Sequence, residues 1–408
     1  MEGTPILEES PGDLGVLLWQ SYRDVILWGE TEPEEARAKL FAPGSLDRRE
    51  VLIGSSSLRG EVRAAVEMLT RSLRESIPSQ PDEIVYCCRR VAEWASSAGK
   101  CYTAFAMALA AAGVVPKDPA VALEVGQYAA SAGLQVAAEA WFRRTIGLGR
   151  RAKDYATYTQ AWLELGRSFA ARGSLKSPAP FHGETDPAGA PVDHAGSQLH
   201  PKVSPELHSG ADQAARARQC FITAVRSARR HGMGTTRGEA YHELFVLAFA
   251  AGQYGVADRY AQRALRLLGK RHSRVPSLRH SYANLMLRQG ENAAAAIRML
   301  DTVLPTRRTP QERIETLLLL VEAAGRAGEA ERFQKAWLDA LTTIERLGES
   351  EPAARHLLGL AQIGLGLGEA NRATHAARRV SAIASCLRDQ ALQDAAAALL
   401  RPRPGRAA

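Results

Sequence analysis

The sequence predicts an all-α chain, built as a series of stacked helical hairpins. Three observations predict it. Period-two runs of β-branched residues do not occur, while Ala, Leu, Arg, Glu and Gln, which favour helix, dominate the 408 residues. Glycines recur at regular distance: Gly99, Gly133, Gly173, Gly252, Gly290, Gly328 and Gly368 stand 34, 40, 79, 38, 38 and 40 residues apart. The residues flanking these glycines repeat in register, the mark of a repeat architecture in which each unit leans on the next.

The first 80 residues stand outside the repeat. Leu14, Leu17, Leu18, Ser21, Tyr22, Val25 and Trp28 fall on one face of a helix, and Leu58–Arg74 predicts a second. A terminal repeat would otherwise expose its apolar face, so these helices are expected to cap the array. The repeats then fill residues 81–400. Each glycine is expected to close one helix in the left-handed conformation and let the next begin. Five residues after most of them comes a small residue: Ala104, Ala138, Ala257, Ala295 and Ala373. Eight residues before them comes an apolar residue: Val91, Val125, Leu165, Leu244, Tyr282, Leu320 and Leu360. Pro119, Pro276, Pro310 and Pro352 fall where the first helix of a pair opens and a missing N–H costs little. The 79-residue gap is one repeat carrying an insertion, because Ala217, Phe221 and Ala224 restore the second-helix pattern. The inserted residues 174–212 hold six prolines and no hydrophobic periodicity, which predicts a disordered loop within the third repeat. A last helix is expected over Arg388–Leu400, followed by a disordered tail at 401–408.

Trp162-x2-Leu165-Gly166-x2-Phe169 with Gly173, and Tyr241-x2-Leu244 with Gly252, Tyr254, Ala257 and Ala264, resemble the tetratricopeptide repeat (TPR) family. So do Cys88, Val91, Ala92, Ala95, Gly99, Ala104, Ala108 and Ala111, and the resemblance extends from Asp82 to about Leu400. Most units are 38–40 residues long rather than the family's 34. The resemblance implies about seven helix-turn-helix pairs forming an α-solenoid whose first helices line a concave groove. It places Arg89, Glu93, Gln127, Arg167, Glu239, His242, His280, Asn284, Glu322 and Gln362 in that groove. A mixed polar surface of this kind suits a protein or peptide partner. The family's carboxylate clamp wants Lys and Asn, whereas the first repeat offers Arg89 and Glu93, so a receptor for chaperone C-termini is not expected. The implied function is a non-catalytic scaffold or adaptor with a regulatory role.

Charge supplies the alternative. Residues 1–35 carry −8, which leaves +16 on the rest of a chain whose net charge is +8. Basic clusters recur in the links between repeats, at Arg150 and Arg151, Arg229 and Arg230, Lys270 and Arg271, and Arg307 and Arg308. Aligned at the repeat period they form a basic rim able to meet phosphates, the basis of a nucleic-acid-associated or transcription-regulating solenoid. Against it stand the lack of interleaved aromatic residues and the favourable placement of cations at helix C-termini in any helical protein. The acidic start is a candidate to occupy that rim in cis.

Enzyme signatures fail one by one. His242-Glu243 opens like a zinc-protease motif, but Val246 stands where the second histidine belongs. Gly364-x-Gly366-x-Gly368 lacks a preceding strand, and no GxSxG elbow occurs. His182, His194, His200 and His208 lie in the insertion without metal-site spacing, and the five cysteines form no CxxC. Neither a cofactor nor a metal is expected, and none of the thiols is expected to be redox-active. The acidic Met1–Pro5 lacks a secretory n-region, and no apolar run reaches the roughly 18 residues of a membrane span, so the expected compartment is the cytoplasm.

Overall fold

The structure, a computed structural model, describes residues 5–31, 40–41, 45–74, 80–174, 210–290 and 292–401. Among these residues every regular element is a helix. The architecture is all-α and TPR-like: seven helix pairs follow one another in sequence, preceded by N-terminal helices and followed by a last one. The packing divides into two compact units, one ending at Glu243 and the other starting at Leu244.

The first unit begins with α1 (Pro5–Glu9), α2 (Asp13–Glu30), α3 (Ser45–Ser55) and α4 (Gly60–Arg74). Pair one is α5 (Pro81–Ser97) and α6 (Cys101–Val114), and pair two is α7 (Pro119–Ser131) and α8 (Gln135–Ala152). Pair three is α9 (Tyr155–Ser174) and α10 (Gly210–Arg230). The predicted apolar stripe of α2 is its buried one: Leu17, Leu18, Val25 and Trp28 share a core with Ile84, Val91, Met107 and Ala111 of pair one. Helix α2 packs along α6, with its Gly29 facing Gly113. Sandwiched in this way, α6 buries residues on nearly every side, including Ala104, Met107, Ala108, Ala110 and Ala112.

Pairs two and three close by one device. An added Cβ on Gly126 would stand 2.5 Å from the Phe142 ring, and one on Gly166 would stand 2.5 Å from the Phe221 ring. The glycine of the Trp-x2-Leu-Gly signature is thus the floor on which the second helix seats an aromatic. Phe142 and Phe221 are fully buried, each stabilising by about 1.5–3 kcal/mol through removal of apolar surface from water.

Helix α11 (Gly234–Ala250) contains the boundary between the units. After it come α12 (Tyr254–Leu268), α13 (Val275–Gln289), α14 (Ala293–Val303), a 3₁₀ turn at Leu304–Thr306, α15 (Pro310–Ala327) and α16 (Ala330–Glu345). Helices α17 (Glu351–Gly366) and α18 (Ala370–Leu387) form pair seven, and α19 (Gln390–Leu400) packs against both. The core of the second unit runs from Ala283 and Leu300 through Leu317, Trp337 and Leu357 to Val380 and Leu392. Its α13 and α15 lie side by side, as do α15 and α17, so the first helices share a face.

Six of the seven repeat glycines have the left-handed backbone expected of them, with φ between 69° and 83°. Gly173 does not. It is the penultimate residue of α9 and keeps helical backbone, and a Cβ there would make an ordinary contact, 3.5 Å, with the Gly210 carbonyl. All seven residues eight positions before the glycines are buried. Of the small residues five positions after, Ala295 departs: it is half-buried, and Ala296 takes the core place. The cause is a turn one residue longer, in which Asn292 adopts φ 45° and caps α14 through Ala295 N–H. The predicted insertion and tail lie outside the described residues, apart from their ends. Ser174 closes α9, Gly210 opens α10, and Arg401 follows the last helix.

Candidate binding face on the first helices

In the first unit the first helices are joined by ions. Arg89 of α5 pairs with Glu124 of α7, and Arg90 pairs with Glu61 of α4 and, at 2.8 Å, with Glu93 on its own helix. Burial raises the Glu124 carboxyl above its ordinary pKa, an effect that Arg89 only partly counters. Burial, and then the charge of Glu124, raises Tyr128. Gln127 lies half-buried on α7, and its carbonyl accepts the Ser131 hydroxyl at 3.1 Å. Arg167 of α9 is the most heavily engaged charge. Its Nη1 meets Glu164 at 2.8 Å, its Nη2 Glu239 at 3.2 Å, and its Nε Glu243 at 2.7 Å, which ties α9 to α11. Burial works against that guanidinium, but Glu164, Glu243 and Glu239 together outweigh it and hold its pKa above the ordinary value. His242 is buried, 8% exposed, and so belongs to the packing rather than to an open face.

In the second unit His280 of α13 sits half-buried with Nδ1 3.2 Å from the Thr316 hydroxyl of α15. Arg307 donates to the same hydroxyl from 3.1 Å. Burial, helped by that cation, pushes the His280 pKa down to about 4 and keeps the ring neutral. Asn284 is half-buried, Glu322 pairs with Arg326 at 2.5 Å, and Arg326 also donates to the Leu287 carbonyl, joining α15 to α13. Gln362 is exposed on α17.

Of the ten groove residues expected from sequence, the structure joins Arg167 directly to Glu239. The carboxylates Glu124, Glu164 and Glu243 complete these contacts and were missed. Their signal was helical spacing, since Glu164 stands three residues before Arg167 and Glu124 three before Gln127. Glu243, the second residue of the false zinc motif, is a partner of Arg167.

The link cations follow the second helices. Arg150 and Arg151 end α8, Arg229 and Arg230 end α10, and Lys270 and Arg271 follow the Gly269 cap of α12; all six are exposed. Arg308 is exposed too, while the Arg307 side chain is only 12% exposed and turned onto Thr316 and Glu312. The described part of the acidic start docks elsewhere. Glu9 accepts Tyr102 N–H, Thr103 N–H and the Thr103 hydroxyl, each at 2.8 Å, at the opening of α6. Lys100 binds the Glu9 carbonyl at 2.6 Å and Ser10 Oγ at 2.7 Å. Lys100 stands at the N-cap of α6 and has no side-chain acceptor, so Glu9 supplies the carboxylate that this helix end favours. Asp24 pairs with Arg23 and Arg49.

Cys87, Cys88 and Cys220 are buried and their thiols raised by burial, Cys87 and Cys220 to about 11, which suits packing rather than redox chemistry. Cys101 is half-exposed at the start of α6. Gly364 is a packing glycine beneath Trp337, and Gly368 is the turn before α18. Among the described residues no cluster of His, Cys, Asp or Glu has metal-binding geometry, and no helix is long and apolar enough to cross a membrane. His182, His194, His200 and His208 lie outside the described residues.

No family model matches the chain, and no curated protein does. Solved structures do. PilF of Pseudomonas aeruginosa is 13% identical with a TM-score of 0.46, the match covering 67% of this chain and 96% of that one. The Cut9–Hcn1 hetero-tetramer of the APC/C is 13% identical at 0.45, covering 98% of this chain and 57% of that one. The apo form of RapI is 7% identical at 0.49, covering 92% and 98%. Similarity at this level assigns neither a family nor a partner.

Proposed function

We propose that the chain is a non-catalytic protein- or peptide-binding scaffold or adaptor, regulatory in role and cytoplasmic, which engages its partner on the face of the first helices. One observation carries the reading. Six residues before each repeat glycine stand Glu93, Gln127, Arg167, Val246, Asn284, Glu322 and Gln362, and none of these seven is buried. Two positions further toward the N-terminus of each helix, all seven residues are buried. A register of open, mostly polar positions beside a closed core suits a partner held by hydrogen bonds and charge at successive points.

Site-specific photo-crosslinking tests it. A photoreactive amino acid in place of Gln127 or Gln362 should give protein adducts in native lysate. The same group in place of Lys335, exposed on the second helix α16, should give none. Equal adducts at Lys335, or none at the first-helix positions, would contradict the reading.

A further inference from the structure

Seven cations of the second unit line two clefts at corresponding ends of successive pairs. One, about 370 Å³, lies where the start of α15 meets the end of α16 and is lined by Arg307, Arg308, Arg313 and Arg346. The other, about 430 Å³, lies where the start of α13 meets α14 and is lined in part by Lys270, Arg279 and Arg298. Antiparallel pairing produces this arrangement, because the last turn of each second helix comes beside the first turn of its partner.

The one ion pair made by the first cleft's arginines among the described residues is that of Arg307 with Glu312, at 4.0 Å. Among the described residues no carboxylate forms an ion pair with Arg308, Arg313 or Arg346, and the one acidic side chain in the lining, Asp339, reaches none of them. Nor is the helix end an open anion site. Thr309 and Glu312 form a reciprocal cap, the hydroxyl accepting Glu312 N–H at 3.2 Å and the carboxylate accepting Arg308 and Thr309 N–H. With the backbone donors occupied, the guanidiniums are what remains to hold a ligand. In the second cleft Arg279 reaches Thr302 at 3.1 Å, while Lys270 and Arg298 have no carboxylate partner among the described residues.

We infer that these clefts bind an acidic protein segment, each taking a phosphate or carboxylate side chain between its arginines. Planar guanidiniums grip either group through paired N–H donors. No aromatic residue lines either cleft for base stacking, which favours a peptide over single-stranded nucleic acid. The inference stands apart from the first-helix face. Loss of crosslinking at Gln127 would leave it intact, and its failure would leave that face untouched.

Fluorescence anisotropy with the full chain tests it, using a labelled peptide with two phosphoserines, its twin with two glutamates and its unmodified twin. Both anionic peptides should bind, with the stronger of the two identifying the preferred group, and the unmodified one should not. Replacing Arg313 and Arg346 together by Gln should weaken anionic binding about tenfold or more while leaving the circular dichroism spectrum unchanged. Arg355→Gln, which removes an exposed partner of Glu351, should leave binding unchanged. Absence of saturable binding by both anionic peptides would overturn the inference. So would equal binding by the Arg313/Arg346 variant, or a single-stranded oligonucleotide that binds more tightly and is lost with the same substitutions.

Discussion

Arg167 in the first unit and Arg313 in the second are the same side chain on corresponding first helices, yet their surroundings differ in kind. Arg167 lies among three carboxylates drawn from two helices, its side chain 22% exposed. Arg313 lines a cleft with three other arginines and has no acidic partner among the described residues. The first guanidinium joins neighbouring pairs, while the second, also half-buried, makes no ion pair to a neighbouring helix among the described residues. A chain of net charge +8 therefore divides its basic residues between holding the fold and facing outward, and the position of the carboxylates decides which.

The strongest challenge to the first unit is Phe221→Ala. Removing the ring seated on Gly166 should cost about 3–5 kcal/mol in urea unfolding, since the backbone there leaves a cavity rather than closing. A loss under 1 kcal/mol would mean that pair three does not close on this contact. In the second unit the analogous lever is acid. His280 has a folded pKa near 4 against an ordinary 6.5, so the unfolded chain binds the proton first. Stability is complete above about pH 6.5 and falls as the pH drops toward 4, by at most about 1.4 kcal/mol per pH unit. His356, lowered by burial, adds to the same trend. His280→Gln should flatten that slope; an unchanged slope would remove the role given to the ring. The smallest effect belongs to Arg379→Ala. Its 2.7 Å bridge to Glu345 also links successive pairs, but both side chains are at least a third exposed, so under about 1 kcal/mol should be lost. A larger loss would show that pairing alone, without burial, stabilises the stack.

Much of this was legible in the sequence because it follows from periodicity. The helix pairs, the apolar stripe of α2 and the left-handed glycines come from local spacing and backbone sterics. What was not legible depends on distance across the fold. Gly173 reads like its neighbours in the repeat, but it stays helical and faces Gly210, at the far end of the inserted residues. Ala295 fails by one position because Asn292 lengthens a turn that glycine spacing alone does not reveal. Helix α3 was missed, its charged Asp47, Arg48, Arg49 and Glu50 giving a weak apolar pattern. Arg307 counts as one more link cation in the sequence, and only the fold turns it onto Thr316. The destination of the acidic start was likewise hidden, since Glu9 finds its donors more than ninety residues away.

The division between structural and outward-facing arginines is tested most directly by urea unfolding of Arg167→Ala and Arg313→Ala side by side. Removing Arg167 leaves three carboxylates together and should cost about 2–3 kcal/mol, below the range for a fully buried pair because the site is partly open. Removing Arg313 should change stability by no more than about 0.5 kcal/mol. Equal losses, or the larger loss at Arg313, would contradict the account.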